Sequence, residues 1–432
     1  MIGTLLFLLL VVSEAVFLFL RIILKNTLKR QKAITNLSVL LLFSLLLLTG
    51  VVQFSFRWFT LTMFLLIRGI LAVIVLIRRG KEKPYRLSGS IGRLAGSLLL
   101  ILPVCIPALL FPQYKPLTPS GSYELATVSY TWTDESRAET FEQDGSKRQV
   151  TVQFWYPDVT TGEQFPLVVF SHGAFGYRRS NYSTYEELAS NGYVVCSIDH
   201  PYHAFYTKQT DGKVITVNPA FLQEVNQINA EGTTEDFIFT TTQKWMKLRT
   251  ADMNFVIDTI EQLAGSSEKD EVFRHVDLSK IGLMGHSLGG ATSVAVGRQR
   301  EDVDAVIDLD GTMLGEELSY QNGAYQLNNE PYPCPLLAID TTDHYTEGLK
   351  YGDQYANNVT LANALNGREV HFDNAGHLNF TDLPLYSPTL ASLLGTGNID
   401  RTYCIQTMNG VILNYYNHYL KGAEGLSLKE VY

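Results

Sequence analysis

The chain has 432 residues, 46% of them apolar, and a net charge of −9 at neutral pH, but these averages join two unlike parts. The first 112 residues hold 13 of the 34 basic side chains and only two of the 43 acids, Glu14 and Glu82, giving +11; the remaining 320 carry −20. An acidic region of that size excludes a nucleic-acid-binding face, which needs clustered positive charge, and is ample for one large hydrophobic core.

A membrane-spanning helix needs about 20 predominantly apolar residues, and residues 2–23, 37–56, 59–77 and 91–111 supply four such stretches. The first lacks the basic start and small-residue cleavage site of a signal peptide. All four are therefore read as spans of one membrane segment, residues 1–115. Short loops rich in Lys and Arg stay on the cytoplasmic side. Lys25, Lys29, Arg30 and Lys32 lie between the first two spans, and Arg78, Arg79, Lys81, Lys83 and Arg86 between the last two, with Arg93 just inside the fourth. The second and third spans are separated by a tiny loop holding Arg57. This asymmetry puts the C-terminal domain on the extracytoplasmic side, with the plasma membrane as the expected location. Glu14 and Arg68 fall inside apolar runs, where a charge is costly; they are expected to pair within the bundle or to snorkel, in a structural role. Pro112, Pro116 and Pro119 with Gly121 end the fourth span and mark a boundary near residue 120.

Beyond it, strands and helices alternate. Residues 123–133 and 149–156 are rich in β-branched and aromatic side chains around a polar turn, the pattern of an antiparallel pair. Short apolar strands are expected at 167–170, 193–198, 280–284, 305–309, 336–339 and 369–372. Helices are expected at 182–190, 236–263, 291–298 and 403–420. Continuous apolar strands separated by helices predict a mostly parallel sheet covered on both faces, with any ligand at the carboxyl ends of its strands. Residues 201–235 fit neither pattern and are left as a lid or a surface insertion. The four cysteines, Cys105, Cys196, Cys334 and Cys404, match no zinc or CxxC spacing, and buried free thiols are expected.

Gly285-His286-Ser287-Leu288-Gly289 is a GxSxG motif, with an apolar strand immediately before it and small residues opening a helix after it. That is the setting of a nucleophile elbow, and it gives the fold class: an α/β-hydrolase catalytic domain over residues 120–432, preceded by about four transmembrane helices. The glycines leave room for a strained turn that lifts the Ser287 hydroxyl to the top of the sheet, beside a helix N-terminus. A serine hydroxyl needs a base. In this fold the partners follow in the order Ser, acid, His, which leaves His344, His371, His377 and His418. His377 lies just past the last expected strand, where the base loop belongs. His371 alternates within that strand as a structural residue, and His344 comes too early. For the acid that orients the imidazole, Asp308, Asp310, Asp340 and Asp343 all end suitable strands. Asp310 precedes Gly311 in a turn, whereas Asp308 sits within a strand pattern. The oxyanion needs two backbone donors: the amide of Leu288, and one from the loop Ser171-His172-Gly173-Ala174-Phe175-Gly176, with Ala174 the candidate ahead of Gly173. His172 is read as a scaffold for that loop.

At these residues the chain resembles the plasma and type II intracellular platelet-activating factor acetylhydrolase family. The likeness runs over about 167–380. It is carried by Val168-Val169-Phe170-Ser171-His172-Gly173, by a helix and strand over 186–200 with Asn191-Gly192-Tyr193 and Asp199-His200, by the Ser287 elbow, by Leu309-Asp310-Gly311, and by Gly376-His377 with Asn379-Phe380. In that family the acid lies about two dozen residues beyond the serine, so the resemblance selects Asp310, 23 residues on, over Asp343. The family's second oxyanion donor maps onto Ala174. The family implies carboxylic ester hydrolysis with no metal or cofactor. The four spans and residues 201–235 depart from its usual pattern.

The reading is a membrane-anchored carboxylesterase or lipase-like enzyme with a Ser287-His377-Asp310 triad, acting on a small-molecule or lipid ester beside a bilayer, with no nucleic-acid partner. An acyltransferase using the same acyl-enzyme is the enzymatic alternative, and a catalytically silent membrane sensor is the alternative from another class.

Overall fold

The apolar runs near the N-terminus fold as four helices in the computed structural model, which describes residues 2–78, 85–267 and 270–432. They are α1 (Ile2–Leu24), α2 (Lys29–Leu48), α3 (Phe56–Ile77) and α4 (Leu87–Leu110), each long and apolar enough to cross a membrane. Between 17% and 28% of each apolar stretch is buried inside the protein, so most of the leucine and isoleucine surface points outward, the arrangement a hydrocarbon surround favours and water does not. A seam of Leu6, Leu10, Phe43, Trp58, Leu65 and Ile101 closes the interior. Gly3 lets α1 and α4 approach closely, since a Cβ there would lie 2.3 Å from the Ala108 carbonyl oxygen.

Two details differ from the sequence reading. Helix α2 starts at Lys29 rather than residue 37, so Lys29, Arg30 and Lys32 are helical, and it stops at Leu48, where the chain turns through Gly50 at φ +71°. The basic positions Arg79, Lys81 and Lys83 lie outside the described residues. Inside the bundle, the Glu14 carboxylate takes both Lys32 (2.9 Å) and Arg68 (2.6 Å). Pairing rather than snorkelling thus resolves the two intramembrane charges noted in the sequence. The helices, through Lys115, form one compact unit that also takes in Leu385–Leu390; Pro116–Pro384 and Ala391–Tyr432 form the other.

The second unit is built on an eight-stranded sheet. Its strands are β1 (Leu125–Ala138), β2 (Lys147–Pro157), β3 (Phe165–Ser171), β4 (Val194–Asp199), β5 (Val276–His286), β6 (Ala305–Leu309), β7 (Leu336–Thr341) and β8 (Gly367–Phe372), in the spatial order β1-β2-β4-β3-β5-β6-β7-β8. β2 runs against its neighbours and every pairing from β4 to β8 is parallel. The central parallel strands β3, β4, β6 and β7 are buried along their whole length and mostly apolar, as strands covered by helices on both faces are. On one side, helix Glu235–Gly265 lays Met253, Val256, Ile257 and Ile260 against the sheet; on the other, helices Tyr182–Ser190 and Arg401–Lys421 contribute Tyr185, Leu188, Met408 and Ile412. All four cysteines are buried free thiols.

Residues 201–235 fold as a short hairpin, Tyr206–Lys208 with Val214–Thr216, and a helix, Pro219–Ile228, capped by the Asn218 side chain. A second hairpin, Glu317–Gln321 with Ala324–Leu327, has no counterpart in the sequence reading. Both hairpins are too short and too polar to leave a period-two signal.

The first turn of helix Leu288–Gln299 lies directly on the ends of β3 and β6. A Cβ on Gly289 would stand 2.0 Å from the Ser171 carbonyl oxygen. Gly289→Ala is therefore expected to lower the stability of the full chain in detergent by about 3 kcal/mol or more, as overpacking against backbone does at its upper range, whereas Gly410→Ala, which meets nothing within 4 Å, leaves the melting temperature unchanged or raised; thermal unfolding of the two variants side by side checks this.

Candidate active site

Parallel register brings the ends of five strands level. Ser171 on β3 pairs with Gly285 on β5, His286 with Leu309 on β6, Leu309 with Ile339 on β7, and Asp340 with His371 on β8. The residues that follow these strand ends, 172–176, 287, 310 and 373–377, therefore converge on one edge, where sheets of this type bind ligands.

Ser287 sits at φ 56°, ψ −126°, a region that side chains avoid. It is held there by its N–H, which donates to the Leu309 carbonyl (2.8 Å), and by its carbonyl, which accepts from Ala291 N–H (3.0 Å). The glycines around it are sterically required: a Cβ on Gly285 would lie 2.1 Å from the Gly289 carbonyl oxygen, and one on Gly290 would collide with the Asp308 carboxyl. Asp310 is also left-handed, at φ 54°, which turns its carboxylate away from the strand direction.

That carboxylate is buried and heavily used. Oδ2 accepts from His377 Nδ1 at 2.6 Å. Oδ1 accepts from Thr341 N–H (2.8 Å), from Thr341 Oγ1 (3.0 Å) and from His344 Nδ1 (3.2 Å). Burial alone raises a carboxyl pKa; the hydrogen bonds from His344 and His377 more than offset it and hold Asp310 well below the usual carboxylate range. Asp308, one pleat earlier, is the converse. Neither of its carboxyl oxygens has a hydrogen-bond partner, and burial, reinforced by Asp340, pushes its pKa well above the usual carboxylate range. Asp343 is exposed. Of the four acids open in the sequence, Asp310 is the one joined to a histidine on the base loop.

His377 opens a short turn, His377–Phe380, and remains 44% exposed at its side chain. Its carbonyl accepts a hydrogen bond from His286 Nε2 (2.9 Å), and the two rings stack at 4.5 Å. Among the described residues the Ser287 hydroxyl has no hydrogen-bond partner, so the Asp310–His377 link is formed and the His377–Ser287 link is open. His371 stacks on Tyr345 and pairs its backbone with the C-terminus, a structural part as expected. His418 bonds the Ala423 carbonyl near the end of its helix.

The amides of Leu288 and Ala174 have no acceptor within the described protein, and the two loops touch: a Cβ on Gly173 would lie 3.1 Å from Ser287 Cβ. The loop over 172–176 is fixed from behind by His172 and by residues that the sequence reading did not single out. His172, fully buried, donates from Nδ1 to the Gly173 carbonyl (2.7 Å) and accepts His200 N–H at Nε2 (3.2 Å), the scaffold role expected of it. Arg249, also fully buried, donates to the carbonyls of His172 and Gly173 (3.3 Å for the latter). Burial depresses the guanidinium to about 9. Because the Gly173 carbonyl and the Ala174 N–H belong to one rigid peptide unit and point in opposite directions, tying the carbonyl to Arg249 orients the amide. Arg148 pairs with Asp252 (2.7 Å) beneath, and Asp252 also takes His200 (3.1 Å). A signal was present: Arg249 and Asp252 stand in register with Trp245, Met253, Val256 and Ile260 on the apolar face of their helix.

Helix Pro219–Ile228 lays Phe221 on Trp245, Met246, Leu288 and Ala291, with Ala174 and Phe175 at the edge. Residues 201–235 thus cover the apolar side of the two amides. A cavity of about 270 Å³ lined by Phe141, His203, Phe221, Glu224 and Lys244 touches none of Ser287, Asp310 or His377. Asp310, Asp340 and His344 offer ligand atoms within 4.8 Å of one another, but these atoms bond each other, and a cation there would compete with both histidines for Asp310.

The profile of the family "Platelet-activating factor acetylhydrolase, isoform II" matches residues 145–426. The chain belongs to the platelet-activating factor acetylhydrolase, isoform II family. The match extends beyond the stretch over which the sequence motifs carried the resemblance and includes β2 and the whole of helix Arg401–Lys421. Among curated relatives, platelet-activating factor acetylhydrolase of Canis lupus familiaris is 27% identical over 296 residues, covering 62% of this chain and 60% of that protein. The Cavia porcellus enzyme is 28% identical over 207 residues, 43% and 42% of the two chains. The chain thus spans about 60% or less of the length of these two acetylhydrolases. The solved structure of a ferulic acid esterase from Streptomyces cinnamoneus superposes with a TM-score of 0.53 at 21% identity, covering 71% of this chain and 93% of that one; it shares the α/β-hydrolase fold.

His286 gives a pH test of the geometry. Burial and the neighbouring His377 push it down to about 3, against about 6.5 for a free histidine. The unfolded chain therefore takes up a proton below pH 6.5 that the folded site refuses, and the stability His286 supports is complete above that value and lost as pH falls towards 3. Between pH 6.5 and 5 the wild type should lose about 2 kcal/mol more than His286→Gln; denaturant unfolding of both in detergent at the two pH values measures the difference, and parallel curves would contradict a neutral buried His286.

Proposed function

We propose that the chain is a membrane-anchored serine hydrolase that cleaves carboxylic esters, with residues 1–115 as the anchor and 120–432 as the catalytic domain. The observation that carries the reading is a strained Ser287 elbow flanked by two unpaired amides, with an Asp310–His377 pair on the adjoining strand ends. Ser287 Oγ attacks the ester carbonyl as His377 Nε2 takes its proton, Asp310 holds the Nδ1–H tautomer and offsets the imidazolium charge, and the amides of Leu288 and Ala174 meet the oxyanion. His377 then protonates the departing alcohol. Water, activated by the same imidazole, releases the acid and restores Ser287. The open His377–Ser287 link closes when substrate orders the site, as catalytic hydrogen bonds commonly do.

The substrate is an ester with a short acyl group on an amphiphilic or phospholipid alcohol. The relatives' name, acetylhydrolase, and the apolar cluster around Phe221, Trp245 and Leu288 support that class. Lys25, Lys29, Arg30 and Lys32 beside Arg78 and Arg86 favour a cytoplasmic location for both basic connections; the catalytic domain is then extracytoplasmic, and the plasma membrane is the proposed site.

A fluorophosphonate probe is expected to label the full chain in detergent, and Ser287→Ala or His377→Ala to abolish labelling while the melting temperature stays within a few degrees. On a soluble short-chain ester, Asp310→Asn should cost about 10⁴-fold in kcat, and Asp343→Asn less than twofold. Equal losses in the two aspartate variants would sink the acid assignment.

A further inference from the structure

Asp310 serves two imidazoles, and the reaction as written uses one. We propose that His344 is a positioning residue for this reaction: from beside Asp340, its Nδ1–H grips the far oxygen of Asp310 and so limits how strongly Asp310 holds the proton on His377. The inference rests on the Ser287–His377–Asp310 reading and goes beyond it.

The geometry defines the role. His344, at the start of helix Thr342–Tyr351, has its side chain only 11% exposed. Its Nδ1 donates to Asp310 Oδ1 at 3.2 Å, and Asp340 Oδ1 lies at the same distance without completing a hydrogen bond. Its Nε2 meets the Tyr355 hydroxyl, which in turn lies 3.5 Å from Thr312 Oγ1. Burial works against a charge here, but the hydrogen bond it donates to Asp310 and the nearness of Asp340 outweigh it and push the imidazole well above its ordinary range. The other groups around it do not supply a competing cation. Asp308 and Asp340 are both pushed up by burial; Glu369 on β8, beside Asp340, is pushed up to about 7 by burial and by that neighbour; Tyr355 is pushed up to about 12 by burial. Asp343 is exposed on the same helix, and Asp373 bonds Thr342 rather than His344. His377 faces Asp310 on one side and the neutral His286 on the other.

A carboxylate whose Oδ1 already takes Thr341 N–H, Thr341 Oγ1 and an imidazolium is a weaker acceptor at Oδ2. A fully free Asp310 would stabilise protonated His377 so well that the base would be lost at mild acidity, and the imidazolium would be slow to pass its proton to the leaving alcohol. His344 cancels part of that field while leaving the orientation of the carboxylate fixed. The mechanism thus asks for an Asp310 that orients strongly and attracts moderately, and a second cation on its other oxygen supplies both.

The sign of the test follows. Activity needs neutral His377. Removing the His344 charge leaves Asp310 more negative in effect, so His377 keeps its proton to higher pH and the acid limb of kcat/KM moves upward. His344→Gln, which retains one N–H donor without the charge, is measured in the full chain in detergent with 4-nitrophenyl acetate. The expected result is an acid limb displaced upward by about half a pH unit or more, a kcat lowered by about tenfold at neutral pH, and KM within about twofold. Tyr355→Phe, which weakens the imidazolium without removing it, should move the limb in the same direction by less, and it carries the test alone if His344→Gln fails to fold. A folded His344→Gln with an unmoved limb overturns the proposal, as does an unmoved limb in Tyr355→Phe should that variant stand alone. If the wild type itself shows no turnover and no Ser287-dependent probe labelling, the triad reading fails first, and the two failures are told apart.

Discussion

The structure of the catalytic unit depends on how closely one helix end approaches the backbone of two strands. Gly285, Gly289 and Gly290 let the first turn of Leu288–Gln299 lie against the Ser171 carbonyl and the Asp308 carboxyl, at distances that a single methyl group would prohibit. Ser287 accepts its positive φ because the turn leaves no other path and because two backbone hydrogen bonds hold it. From that contact follow the exposure of the hydroxyl, the freedom of the Leu288 amide at the helix start, and the adjacency of the Ser171–Gly176 loop. Strain at one residue is thereby exchanged for convergence of three loops.

Two polar networks then lock the loops, and they work in opposite ways. Behind the Ala174 amide, Arg148, Arg249, Asp252 and His200 are all fully buried. Burial pushes the histidine of this network, His200, down, and the cations are placed against carbonyls and two carboxylates, Asp252 and Glu139. On the other side of Ser287, Asp310 and His344 form a hydrogen-bonded pair in which the partners override burial, with Asp340 beside them pushed up by its own burial. Buried ion pairs seldom add net stability, so neither network is explained by stability alone. Each ends on a group that must hold one orientation: the Gly173–Ala174 peptide in the first, the Asp310 carboxylate in the second.

Much of this was legible in the sequence, for identifiable reasons. Fully apolar strands, the glycine-flanked serine and the Gly376-His377 turn each carry a local signature, so the sheet, the elbow and the base loop could be placed within a few residues. The candidate acid was ambiguous from the residues, because Asp308, Asp310, Asp340 and Asp343 alternate about strand ends; a left-handed Asp310 bonded to His377 and an unpartnered, buried Asp308 differ only in three dimensions. Arg249 was hidden in a helical pattern that tolerates long polar side chains. His344 was set aside because chain order placed it before the base loop. Parallel register makes β6 and β7 neighbours, so a residue just after β7 reaches the acid at the end of β6 without being the base.

The unit of four apolar helices obeys the same logic. An apolar bundle has little use for a lone carboxylate, and Glu14 is answered by two cations from two other helices, Lys32 on α2 and Arg68 on α3. Three helices are thereby fixed in mutual register by one acid. A charged pair in hydrocarbon contributes little to association beyond what packing gives, whereas an unpaired one opposes it strongly. The cluster therefore specifies which faces of α1, α2 and α3 meet, while the Gly3–Ala108 approach sets the distance of α4 from α1. In both units a small number of glycines decides how near the backbones come, and a buried charge decides which arrangement is kept.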